Sequence, residues 1–187
     1  MNPRRDDLRL MEMTEEMILW TREDDPSLAK SMEAVDDNGK RELGGIIGRF
    51  SRGPEGVQDP RIRLQVRRLL GRLRKMDADM LVTLNRILDY MDLNADARLG
   101  KEEMELCLQL FEKFSGLVSH NQSLSAVELD LLYAVLRFAD RNGNGRLEKS
   151  ERESLLTHIQ GGRSFLRQQL DENPDFLRIA QEHQLNL

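Results

Sequence analysis

Apolar residues recur at three- and four-residue spacing along nearly the whole chain, the period of helices with one buried face. In residues 6–22, Leu10, Met13, Met17 and Trp20 form one stripe with Ile18 beside it. Asp24-Asp25-Pro26 ends that helix and starts another, which runs through Val35. Asp36-Asp37-Asn38-Gly39-Lys40 has the composition of a turn. Residues 41–50 read as a weak helix interrupted by Gly44, Gly45 and Gly48, and residues 51–58, with Gly53-Pro54 and Gly56, read as a linker. The main boundary is placed there, giving a helical N-terminal region over 1–58 and a second region over 59–187.

The second region opens on Asp59-Pro60, an N-cap followed by proline in the first turn. Ile62, Val66, Leu69, Leu70, Leu73 and Met76 fall on one helical face, and Leu64 is the outlier. Residues 61–76 hold seven basic side chains and no acidic one, all on the opposite side. The stripe stays in phase through Met80, Leu84, Ile87, Leu88 and Met91, which allows one long helix. Asp77, a second N-cap candidate, favours two helices, and we place a break there. The apolar face of 61–76 is expected to pack within the protein as an intramolecular target, its arginines facing solvent or the acidic segment around Glu12, Glu15 and Glu16. Further helices are predicted over 80–91 and 102–118. A polar connector over 119–123 precedes the capping box Ser125–Glu128, which opens a helix carrying Leu131, Leu132, Val135, Leu136 and Phe138. A helix over 149–159 stops at Gly161-Gly162, and the tail adds segments at 163–170 and 174–184. The fold class is all-α.

Two stretches between these helices carry the chemistry. In Asp140–Glu151, Asp140, Asn142 and Asn144 place side-chain oxygens at alternate positions, Arg146 offers its carbonyl, Glu148 stands where a water is held, and Glu151 closes. Gly145 sits at the sharp turn, where φ > 0 is needed. In Asp92–Glu103, Asp92, Asn94 and Asp96 alternate, Arg98 offers its carbonyl, Glu103 closes, Ala97 replaces the glycine, and Gly100 leaves the ninth position bare. Hard cations take six to eight oxygen ligands of this kind. The second stretch meets the D-x-[DN]-x-[DN]-G-x5-E pattern at every specified position, and the first departs at Ala97. Over roughly residues 78–159 the chain resembles the EF-hand family. That resemblance implies an EF-hand pair, two helix–loop–helix units, which the basic helix read above precedes. It further implies calcium as the bound ion, and Asp92, Asn94, Asp96, Arg98, Glu103, Asp140, Asn142, Asn144, Arg146 and Glu151 as its ligands. Leu99 and Leu147 occupy equivalent positions and suit the short strand that pairs two such loops. Thirty-six residues separate Glu103 from Asp140, more than in closely paired members, so an extended helix and longer connector are expected near 113–125. Residues 36–47 carry no third loop, since Lys40 and Ile47 would fill the fifth and closing positions.

Composition narrows the function. A net charge of −5 argues against nucleic-acid binding by bulk charge, although the basic helix 61–76 leaves an anionic partner as an alternative. No run of eighteen apolar residues occurs, and no secretory leader is expected. Cys107, the only cysteine, sits among Leu106, Leu110 and Phe111 and reads as a packed thiol in a reducing, cytoplasmic setting. His120, His158 and His183 are scattered and form no metal pair, and no nucleophile motif appears, so an enzyme is not expected. The expected function is calcium-responsive regulation through a protein partner, with a calcium buffer or calcium-stabilised structural protein as the rival. The methionines are spread over the chain, and the helix after the second loop has none.

Overall fold

The structure is a computed structural model that describes residues 3–51, 54–119 and 123–187. Among these, ten α-helices account for the architecture: α1 Pro3–Asp24, α2 Pro26–Glu33, α3 Asp37–Phe50, α4 Pro60–Leu70, α5 Ala78–Met91, α6 Lys101–Val118, α7 Ala126–Ala139, α8 Lys149–Ile159, α9 Arg163–Glu172 and α10 Pro174–Glu182. The all-α class read from the sequence is the class observed. Short polar residues set most helix starts by accepting from the first turn's orphan N–H groups. Asp25 accepts from Leu28 N (3.0 Å), Asp36 from Gly39 N (2.7 Å), Asp59 from Arg61 N (2.9 Å) and Asp77 from Met80 N (2.8 Å). Ser125 and Glu128 form the reciprocal capping box, at 3.3 and 2.6 Å.

Five helices that are not consecutive in the chain stand in a row, α1 against α3, α3 against α5, α5 against α7 and α7 against α10. The apolar core runs without interruption from Met13 in α1 to Ile179 in α10, with Phe111, Phe114 and Phe176 among its largest fully buried side chains. The expected linker is partly outside the described residues, at 52–53. Pro54–Gln58 forms a 3-10 turn that buries Val57 completely. Residues 120–122 of the expected polar connector also lie outside them, and so does His120.

Three expectations are corrected. The glycines at 44, 45 and 48 do not interrupt a helix, because α3 is continuous from Asp37 to Phe50. Gly44 instead lets two backbones touch: a Cβ there would lie 2.2 Å from Leu10 O of α1. Thr14, fully buried beside this contact, places its hydroxyl 2.7 Å from Lys40 O.

The basic helix is shorter than its stripe. It stops at Leu70, and the chain then turns and forms an isolated bridge between Leu73 and Leu124, with Arg74 N donating to Leu124 O (2.9 Å) and Leu124 N to Arg72 O (2.7 Å). That pairing and the Asp77 cap replace the helical hydrogen bonds, while Leu73 and Met76 remain buried. Val66, Leu69 and Leu70 are buried, and the outlier Leu64 is exposed.

Arg61 and Arg68 face solvent as expected, but Arg63 and Arg67 meet partners other than Glu12, Glu15 or Glu16. Arg67 pairs with Asp24 at 2.7 Å, and Arg63 lies 4.3 Å from the centre of the Trp20 ring. Glu15 pairs with Lys40 instead, at 3.1 Å.

Candidate metal centres

The two twelve-residue stretches are loops at the ends of neighbouring helices, 92–103 between α5 and α6 and 140–151 between α7 and α8. They close with the same hydrogen bonds at the same positions. In the first, Asp92 Oδ2 accepts from Ala97 N (2.9 Å) and Asp96 Oδ1 from Arg98 N (2.8 Å). In the second, Asp140 Oδ2 accepts from Gly145 N (2.9 Å) and Asn144 Oδ1 from Arg146 N (2.9 Å). The closing glutamates match as well. Glu103 accepts from Leu93 N (2.9 Å) and Gly100 N (2.7 Å), and Glu151 from Arg141 N (2.9 Å) and Glu148 N (3.0 Å). Each loop is thus wound around its first and last carboxylates before any ligand is considered.

The backbone repeats this correspondence. Ala97 has φ 60° and Gly145 φ 79°, as their position at the sharp turn requires. A second left-handed residue stands two positions earlier, Ala95 with φ 61° and Gly143 with φ 67°. Sequence reasoning missed Ala95, although aligning it with Gly143 would have pointed to it. Only glycine reaches this region without a steric penalty, so the first loop carries strain at two positions where the second carries none.

The candidate ligands differ in exposure. Asp92, Glu103 and Asp140 are buried, Glu151 is half-buried, and Asn94, Asp96, Arg98, Asn142, Asn144 and Arg146 are exposed. Asn94 Nδ2 donates to Asp96 Oδ2 at 3.2 Å. Glu148, expected beside a water, takes Asn142 Nδ2 at 3.0 Å and Asn144 Nδ2 at 3.1 Å on one carboxylate oxygen. Among the described residues no three His, Cys, Asp or Glu side chains are gathered as a metal site. The donor sets are mixed, with asparagine oxygens and carbonyls beside the carboxylates. One atom departs from the otherwise satisfied network: Asp92 Oδ1 is buried and has no hydrogen-bond partner. A buried carboxylate oxygen without a donor is costly and calls for a cation or a proton donor.

The loops do not pair with each other through Leu99 and Leu147, which corrects the expectation of a shared strand. Leu99 N donates to Arg49 O at the end of α3 (2.7 Å), and Leu147 N donates to Tyr90 O at the end of α5 (3.2 Å). Each loop is anchored to the helix end one place earlier in the row. The Arg49 anchor is itself held, its side chain on Asn85 Oδ1 (3.2 Å) and Asp89 Oδ1 (2.8 Å). Near the other anchor, the rings of Tyr90 and Tyr133 meet edge to face at 6.0 Å. Burial, with Tyr133 and Asp140 nearby, pushes the Tyr90 phenol above its ordinary range.

No family model matches the chain, and neither a curated protein nor a solved structure does. The remaining titratable candidates take ordinary places. Burial pushes the Cys107 thiol up to about 12, which makes it a packed, unreactive group. His158 is exposed and lies 3.3 Å from Ser154 Oγ, and His183 is exposed just past α10. No helix among the described residues is long and apolar enough to cross a membrane.

Proposed function

We propose that this chain is a calcium-binding protein of EF-hand type that acts as a calcium-responsive regulator of a protein partner. One observation carries the reading: two loops of the same length share closing hydrogen bonds and left-handed positions, and the buried Asp92 Oδ1 in one of them has no donor. Asp92, Asn94, Asp96 and Glu103, with the Arg98 carbonyl, would hold one ion. Asp140, Asn142, Asn144 and Glu151, with the Arg146 carbonyl, would hold the other. Oxygen-only donors on a flexible loop suit calcium better than magnesium, which demands a tighter octahedron. Binding would replace the backbone donors now on Glu103 and Glu151 with a charge that compensates these carboxylates more fully.

A calcium-stabilised structural role is the second reading, and the continuous core favours it. Among the described residues, the large exposed apolar side chains are Leu8, Leu19, Leu64 and Phe138, which belong to three different helices.

Calorimetric titration of the whole protein tests both. Two calcium sites are expected, with Glu103→Gln and Glu151→Gln each weakening its own site about a hundredfold. Absence of heat and of thermal stabilisation in millimolar calcium would sink the proposal. A dye that reports apolar surface separates the two readings: a calcium-induced rise supports regulation by exposure, and an unchanged signal with a raised Tm supports the structural role.

A further inference from the structure

We propose that a cleft between the end of α4 and the middle of α6 binds a phosphate monoester through Arg68 and Arg72. The cleft holds about 320 Å³ and is lined by Arg67, Arg68 and Arg72 on one side and by Leu108 and Glu112 of α6 on the other. Neighbouring basic residues find partners inside the protein. Arg63 covers Trp20, Arg67 pairs with Asp24, and Arg74 donates to Ser119 Oγ at 3.0 Å. Among the described residues, no carboxylate forms an ion pair with Arg68 or Arg72. The cleft therefore offers two guanidinium forks, Arg68 and Arg72, that hold no ion pair, beside one carboxylate, Glu112.

That chemistry selects the ligand. A guanidinium fork binds carboxylate or phosphate oxygens in pairs, and two forks together match a dianion with three oxygens better than a single carboxylate. Glu112, lining the same cleft, repels a bare anion and accepts a hydroxyl hydrogen. Leu108 supplies a short apolar floor. A small phosphate ester carrying a hydroxyl satisfies all three features. The inference rests on this cleft alone and stands or falls apart from the calcium reading.

The test is an NMR titration of the full chain, following the arginine Nε–Hε signals. The probes are inorganic phosphate, glycerol 3-phosphate, potassium chloride at matched ionic strength, and phosphatidylcholine vesicles with and without phosphatidic acid. Saturable shifts at Arg68 and Arg72 are expected with both phosphates, weakened at least tenfold in R68Q/R72Q. Arg68 lies in the last turn of α4 and Arg72 just beyond it, and an unchanged helical circular dichroism spectrum confirms that the variant folds. Glu112→Gln keeps both arginines and should tighten inorganic phosphate severalfold, because a like charge leaves the cleft. Vesicle binding that needs phosphatidic acid and vanishes in R68Q/R72Q would assign the phosphate to a lipid headgroup. Saturable glycerol 3-phosphate binding without vesicle association would assign it to a soluble ester. The proposal is overturned if chloride reproduces the shifts, if R68Q/R72Q binds phosphate like the native chain, or if Glu112→Gln leaves phosphate affinity unchanged.

Discussion

Replacing Ala95 and Ala97 by glycine isolates the strain in the first loop. Both residues hold φ near 60°, where an alanine side chain crowds the following carbonyl at a cost of about 1 kcal/mol each. Glycine removes that cost, and the pair together should release about 2 kcal/mol in the wound loop. Where the relief appears depends on the state of the loop without calcium. A loop that unwinds when empty feels the strain only on binding, so A95G/A97G should tighten the first site about thirtyfold. A loop already wound when empty shows unchanged affinity and a higher Tm. The stability gain is then smaller than the strain released, because glycine also loosens the unfolded chain by about 0.4–1 kcal/mol per position. Gly143→Ala and Gly145→Ala supply the reverse experiment. A Cβ at either meets nothing within 4 Å, so the cost is conformational alone, about 1 kcal/mol each. Calorimetric titration with paired thermal melts reads both quantities. If the double glycine variant lowers Tm without tightening the first site, or the second-loop alanines cost nothing, the left-handed positions are not adopted in solution and the loop geometry argued above fails.

Further outcomes follow from the packing. Gly44→Ala should destabilise the fold by about 3 kcal/mol or more, since the new methyl meets the Leu10 backbone, which has no rotamer to yield; chemical denaturation reads the loss, and a neutral result would mean α1 and α3 stand further apart. Leu69→Ala should cost about 2–5 kcal/mol, because that side chain is buried under α4; a cost under 1 kcal/mol in the same assay would show α4 undocked. Cys107 keeps its proton in the folded state to about pH 12, while an unfolded thiol loses it near 9, so the unfolded form is favoured increasingly across that window and stability falls as pH rises. Thiol labelling should be slow in native protein and fast in denatured protein, and Cys107→Ala should flatten the decline between pH 9 and 12.

Local chemistry was legible in the sequence wherever one residue decides an outcome. Asp77 starts a new helix inside a stripe that stays in phase for thirty residues, because its side chain satisfies Met80 N. The positions and winding of both loops were readable from residue type and spacing, and so was the turn at Ala97. What was not legible depends on which partner the tertiary fold supplies. Gly44 looks like a helix breaker until another helix arrives at backbone distance. Leu99 looks like the pairing partner of Leu147 until Arg49 O and Tyr90 O are found within reach of the two N–H groups. Arg67 gives no sign in sequence that Asp24, forty-three positions earlier, will be its counter-charge.

The staggered anchoring of the loops gives the molecule a direction. A pair of loops bonded to each other is a closed unit whose ends are equivalent by pseudo-symmetry. Here the second loop grips the helix that leads into the first, and the first grips the helix that leads back toward the N-terminus. The row is therefore an open chain of couplings with a head and a tail, in which the first loop sits between two neighbours and the second has only one of this kind. Coupling free energies are reciprocal. The backbone bonds thus tie Asp92–Glu103 directly to α3 and Asp140–Glu151 directly to α5.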